Sequence, residues 1–159
     1  AEPLRTVIDI NDATFYSPGD MAARIDKAAR ATGQPRPRDI GEYVRCINDS
    51  LALAYRRAVR QAMELSGREV KVLHVVGGGI RNRLLCQLAA DATGLPVLAG
   101  PAEGTTLGNV VIAARGAGVI DGDLSDLRRL IRSSSRLTRY TPDLDTSSNW
   151  DDVERRLFG

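Results

Sequence analysis

The sequence predicts an α/β domain in which a small, parallel-leaning sheet is flanked by helices. Short β-branched apolar runs, "VKVLHVV" at residues 70–76 and "PVLAG" at residues 96–100, alternate with segments of helical periodicity. The first run is apolar almost throughout, as in a strand covered on both faces. At 159 residues with a 43% hydrophobic fraction, the chain is long enough for one domain with a real core.

The elements follow in order. "TVIDINDATFYSPGD" reads as irregular or briefly extended. In "SPGDMAARIDKAARATGQ" a first helix is expected, with Ser17 as cap, Pro18 at the first helical position, Asp20 serving the N-terminus and Gly33 after the last turn. "PRPRD" breaks the chain. From about Asp39 to Ser66, Ile40, Val44, Ile47, Leu51, Ala54, Ala58, Ala62 and Leu65 recur every three or four residues, which predicts a long helix burying that face and ending at Gly67. After "VKVLHVV" a helix is expected to begin near Ile80, with Leu84, Leu85, Leu88 and Ala92 on its inner face and Gly94 closing it. "PVLAG" is the second strand, and "TTLGNVVIAARGAG" the next helix, capped by Thr105 and Thr106, with Gly108 allowing close packing. Asp123 caps a helix over Leu124 to Arg132. "YTPDLDTSSNW" is expected to be a polar loop and "DDVERRLF" a short terminal helix. Two or three strands are few for this length, so either a further strand lies hidden or a partner domain completes the sheet.

Several function classes are disfavoured. The net charge is only +2, the arginines are spread along helices, and aromatic content is 4%, so no nucleic-acid partner is expected. No apolar run reaches the ~18 residues of a membrane span, and no secretory signal opens the chain, so no membrane partner and a cytoplasmic location are expected. Cys46 and Cys86 sit in apolar helical patterns as buried thiols. One histidine and no CxxC argue against a metal site.

The stretch that invites chemistry is "VVGGGIRN", residues 75–82. A dinucleotide fingerprint, GxGxxG, would need glycine where Asn82 stands and an acid around residues 97–100; neither is present. A phosphate-binding P-loop would need a lysine after the glycines, and none follows. Two readings remain open. Gly77, Gly78 and Gly79 either let a nucleotide lie against bare main chain, beside a helix N-terminus and the Asn82 amide, or only permit a tight strand-to-helix turn. Arg81 and Arg83 flank Asn82, either to reach a phosphate or to keep the face soluble. His74 reads as a buried, satisfied histidine. Of the carboxylates Asp9, Asp12, Asp20, Asp91 and Glu103, no two pair as a base beside a metal ligand, and Asp91 reads as solvent-facing or a packing partner. No catalytic residue and no metal ligand is assigned.

"VVGGGIRNRLLCQLAADATGLPVLAGPAEGTTLGNVVIAA" resembles the C-terminal domain of the FGGY family of carbohydrate kinases, most of all its rhamnulokinase branch. "PGDMAARI", "VRCINDSLALAYRRAV", "GPAEGTTLGN" and "LTRYTPD" extend the likeness in order across most of the chain. The resemblance implies part of an actin-like and hexokinase-like (ribonuclease H-like) ATPase domain. It implies ATP or ADP as ligand, with Mg²⁺ held through the nucleotide phosphates. Gly78 and Gly79 would pack against the nucleotide, Asn82 would sit beside the adenine, and Gly77 would mainly allow the turn. Glu103 and Thr106 look like the family's signature before the next helix. Family members are much longer on the N-terminal side, where the sugar site, a phosphate loop and the catalytic aspartate lie. Residues 1–159 are therefore expected to be the nucleotide-binding portion of a kinase acting on a ketose such as L-rhamnulose at its 1-hydroxyl, inactive without the N-terminal sugar-binding domain. A reading of another class is a non-catalytic module that forms homo-oligomers through apolar surface the missing part would cover.

Overall fold

The computed structural model describes the backbone of residues 1–159 and every side chain except those of residues 146–148, which belong to the expected polar loop. Three short strands form one sheet in the order β1 (Leu73–Val75), β2 (Val97–Ala99), β3 (Thr138–Tyr140). β1 and β2 are parallel, with Leu73 opposite Val97 and Val75 opposite Ala99. β3 runs antiparallel to β2, with Tyr140 opposite Val97, so the sheet is mixed rather than parallel. The hidden strand lies in "LTRY", where Thr138 and Arg139 are exposed and no apolar alternation marks it.

Helix α1 (Met21–Ala31) is capped by Asp20, whose Oδ1 accepts from the Ala23 amide at 2.9 Å. Ser17 and Pro18 stay outside the helix, and their carbonyls accept from the Arg24 guanidinium. α2 (Ile40–Ser66) begins at Asp39, which accepts from the Glu42 amide, and ends at Gly67 as expected. α3 (Arg83–Thr93) follows β1 through a 3-10 turn, α4 (Gly104–Gly116) follows β2, and α5 (Leu124–Ser134) is opened by a reciprocal box between Asp123 and Asp126. α6 is longer than expected, Ser147–Phe158, and it carries Trp150 into the interior at 2% exposure. Among the described residues, no helix is long and apolar enough to cross a membrane.

α3 lies between α2 and the sheet. Its Leu85, Leu88 and Ala92 pack with Ala52 and Leu53 of α2, Val7, and Trp150 and Val153 of α6. Its Cys86, Ala89 and Ala90 pack on Val97 and Ala99 of β2. Leu84, expected on the inner face, points outward.

The apolar face expected for α2 is not the buried one. Ile40 is 82% exposed and Leu65 89%, and Val44 and Ile47 also face outward. The buried side instead carries Glu42, Cys46, Asn48, Asp49, Ser50, Ala52, Leu53 and Arg56. Hydrophobic periodicity misreads this helix because its polar residues are buried with partners supplied by distant segments. Asp49 accepts from the Leu4 amide at 2.8 Å and from Arg45 Nε at 2.9 Å. Ser50 Oγ accepts from the Ile8 amide at 3.0 Å and donates to the Cys46 carbonyl. Arg56 donates to the Ala92 carbonyl, Asp151 and Glu154, tying α2 to α3 and α6. The extended segment around Val7 is held by Gln34, whose amide accepts from Val7 N at 3.0 Å and donates to Val7 O at 2.7 Å, as a neighbouring strand would.

Glu42 closes the start of α2. Its oxygens accept from the Arg38 side chain and amide and from Arg5, and the Arg38 hydrogen bonds hold its carboxyl down at about 2, from an ordinary 4.5. A depressed carboxyl stabilises the fold fully above its unfolded value and loses that contribution as pH falls through the folded value. Thermal melts from neutral pH downward are therefore expected to show a drop between pH 4.5 and about 2 that is smaller in Glu42→Gln. An unchanged acid limb in the variant would remove Glu42 from this role.

Candidate functional site

The glycine corner forms where β1 ends. Gly77 has φ +78°, a conformation that disfavours side chains, and its amide donates to the Pro101 carbonyl at 3.1 Å, joining the ends of the two parallel strands. Gly77 thus serves the turn. Gly78 differs: it is exposed, its φ is not in the left-handed region, and a Cβ placed on it meets nothing within 4 Å. A Cβ on Gly79, also exposed, meets only Val75 Cγ1, at an ordinary 3.7 Å. The surface over Gly78 and Gly79 is therefore bare main chain with open space in front of it.

Asn82 borders that surface, and α3 begins at Arg83 rather than near Ile80. The glycines are taken up in the 3-10 turn Gly77–Arg81, and Asn82, at φ −85° and ψ 84°, is the N-cap. Its Oδ1 accepts from the Leu85 amide at 3.1 Å, and its Nδ2 donates to Asn48 Oδ1 on α2 at 2.7 Å. An asparagine amide has two N–H groups and two lone pairs. One of each is committed inside the protein and one of each remains. Asn48 was missed in the sequence because its partner is 34 positions away.

The other expected residues are placed plainly. His74 is exposed rather than buried, because it points to the sheet face opposite α3, which opens into a cleft instead of being covered. Arg81 and Arg83 are exposed on either side of Asn82. Asp9 and Asp12 accept from nearby turn amides, Asp20 caps α1, and Asp91 accepts from Gln87 and from the Asp143 amide as a packing partner. Glu103 is exposed at the start of α4 without a capping hydrogen bond. Thr105 and Thr106 are not caps but lie in the first turn of α4, and an added Cβ at Gly108 meets nothing, so close packing is not its role. Cys46 and Cys86 are buried free thiols, and burial pushes the Cys46 thiol up to about 11 and raises Cys86, which keeps both inert. Among the described residues no three His, Cys, Asp or Glu side chains gather into a metal site. A cleft of about 600 Å³ lies between β1, β2 and α5, walled by Val76, Leu98, Pro101, Ile131 and Leu137, but Gly78, Gly79 and Asn82 do not line it.

Comparison with known proteins gives the chain's kinship. A profile described as "FGGY family of carbohydrate kinases, C-terminal domain" matches residues 1–117. The rhamnulokinase of Bacteroides thetaiotaomicron is 45% identical over 150 residues, covering 94% of this chain and 30% of that protein. The rhamnulokinase of Klebsiella pneumoniae subsp. pneumoniae is 43% identical over 142 residues, 89% of this chain and 29% of that protein. The crystal structure of xylulose kinase from Rhodospirillum rubrum superposes with a TM-score of 0.56 at 26% identity, over 77% of this chain and 24% of that one. The chain thus spans about 30% of the length of the curated relatives it matches.

The two glycines are expected to respond oppositely to alanine. Gly77→Ala forces a side chain into the left-handed region and is expected to destabilise by about 1–2 kcal/mol. Gly78→Ala meets no atom and no strain, and is expected to leave the melting temperature unchanged or slightly raised. Equal losses in the two variants, read by thermal unfolding, would contradict this division of labour.

Proposed function

Because the chain belongs to the FGGY family of carbohydrate kinases as part of their C-terminal domain, we propose that residues 1–159 form the nucleotide-binding portion of a sugar kinase resembling rhamnulokinase. In this reading ATP or ADP rests on Gly78 and Gly79, with its adenine beside Asn82. The observation that carries it is Gly78: neither backbone conformation nor packing requires a glycine there. What the missing side chain leaves is room for a flat ligand against the main chain. The remaining donor and acceptor of Asn82 match the N7 acceptor and N6 donor of an adenine edge.

When bound, ATP supplies the phosphoryl group and the phosphates that carry Mg²⁺. This chain's residues bind and orient the nucleoside end. Among the described residues no two carboxylates pair as a base beside a metal ligand, and in this reading the base and the sugar site are supplied by the N-terminal sugar-binding domain, the proposed partner. The parent kinase would phosphorylate a ketose such as L-rhamnulose at its 1-hydroxyl in the cytoplasm. In-line transfer needs nucleophile, metal and γ-phosphate held together, so this portion alone would not turn over.

Calorimetry with ADP is expected to detect binding to the chain, none to Gly78→Val, and binding roughly tenfold weaker to Asn82→Ala. Equal affinity in all three would remove the site.

A further inference from the structure

Asn82 does not hold its own orientation. Of the two ends of an asparagine amide only the oxygen can accept from a backbone N–H, so the Leu85 amide at 3.1 Å fixes Asn82 Oδ1 on the α3 side and turns Nδ2 towards α2. There Nδ2 meets Asn48 Oδ1 at 2.7 Å. Asn48 in turn donates from its Nδ2 to the Val44 carbonyl at 2.7 Å, and a carbonyl can only accept. The series from Val44 O through Asn48 and Asn82 to Leu85 N therefore has one allowed polarity, anchored at both ends by backbone groups. Asn48 is 4% exposed, buried between the helices, whereas Asn82 is exposed at the glycine corner. The buried member is rigid and the exposed one carries the spare valences.

We propose that Asn48 is a positioning residue for base recognition: the Leu85 amide sets the polarity of the Asn82 amide, and Asn48, by anchoring its nitrogen, holds the amide plane at the angle that offers one N–H and one lone pair together to an adenine edge. The inference rests on the adenine-nucleotide reading of the corner and names the residue that gives that corner its preference for adenine. An adenine presents an acceptor at N7 and a donor at N6, while guanine presents acceptors at both N7 and O6. An amide with one free donor and one free acceptor pairs with the first edge and leaves its oxygen facing a carbonyl in the second. Without the Asn48 acceptor, Asn82 keeps its cap to Leu85 but loses the contact that sets the plane of its NH₂ group. A residue that only glued α2 to α3 would affect both nucleotides alike.

The test compares ADP and GDP binding by calorimetry for the chain, Asn48→Leu and Asn48→Asp. Leucine keeps the volume and removes the acceptor; aspartate keeps an acceptor facing Asn82. The native chain is expected to prefer ADP by tenfold or more, Asn48→Leu to lose about tenfold of that ratio, and Asn48→Asp to retain it, even with a lowered melting temperature. A ratio unchanged in Asn48→Leu, or lost equally in both variants, overturns the positioning role and leaves the nucleotide site standing. Absence of ADP binding by the native chain overturns the site itself, and this inference with it. Should Asn48→Leu fail to fold, asparagine-labelled ¹⁵N spectra of the native chain decide. One Asn82 side-chain proton is expected to exchange slowly, unlike those of exposed Asn11 and Asn109; equally fast exchange in all three overturns the proposal.

Discussion

The structure depends on a row of buried polar groups along α2 that must each find a partner. Buried hydrogen-bonding groups left alone cost on the order of 1–3 kcal/mol apiece, so this face cannot pack against just any apolar surface. It accepts segments that bring the right donor or acceptor to the right turn. Asp49 and Ser50 take the amides of Leu4 and Ile8, Asn48 takes Asn82, and Arg56 takes the Ala92 carbonyl with two carboxylates of α6. Four separate parts of the chain are thereby indexed to one helix. The apolar clusters around Trp150 and Val97 then fill the space that this indexing defines.

The same row reaches the candidate site. Asn48 lies between the residues that hold the N-terminal segment and the glycine corner, so the corner is braced from behind by the helix that organises the interior. In front it is bare. Gly77 joins the ends of β1 and β2, and the main chain of Gly78 and Gly79 stays uncovered. A rigid back and an open front are what recognition by main-chain contact requires, because a surface that must reorder on binding gives up affinity in doing so.

Much of the architecture is legible in the sequence where local chemistry decides it. Asp39, Gly67, Gly94 and Asp123 mark helix ends at or near the observed positions, since a cap is a contact within a few residues. Three features escape. β3 escapes because an exposed three-residue edge strand carries no alternation. Trp150 escapes because the polar residues around it mask the helix that buries it. The orientation of α2 escapes because its buried side is polar, and the partners that make polar burial tolerable lie up to 98 positions away. At the site, the glycines and Asn82 are visible as a motif, whereas the cap to Leu85 and the link to Asn48 belong to tertiary structure. The assignment of Gly77 to the turn is supported by its φ.

The inverted face of α2 has a consequence for how this helix tolerates change over evolutionary time. Ranking its positions by oiliness would rate Ile40 and Leu65 as indispensable and Asp49 and Arg56 as interchangeable decoration. The opposite order follows from who touches whom. Along this helix the ionic positions are held by named partners as firmly as the packed Ala52 and Leu53, so a lineage would guard Asp49 and Arg56 as closely as its interior hydrocarbons.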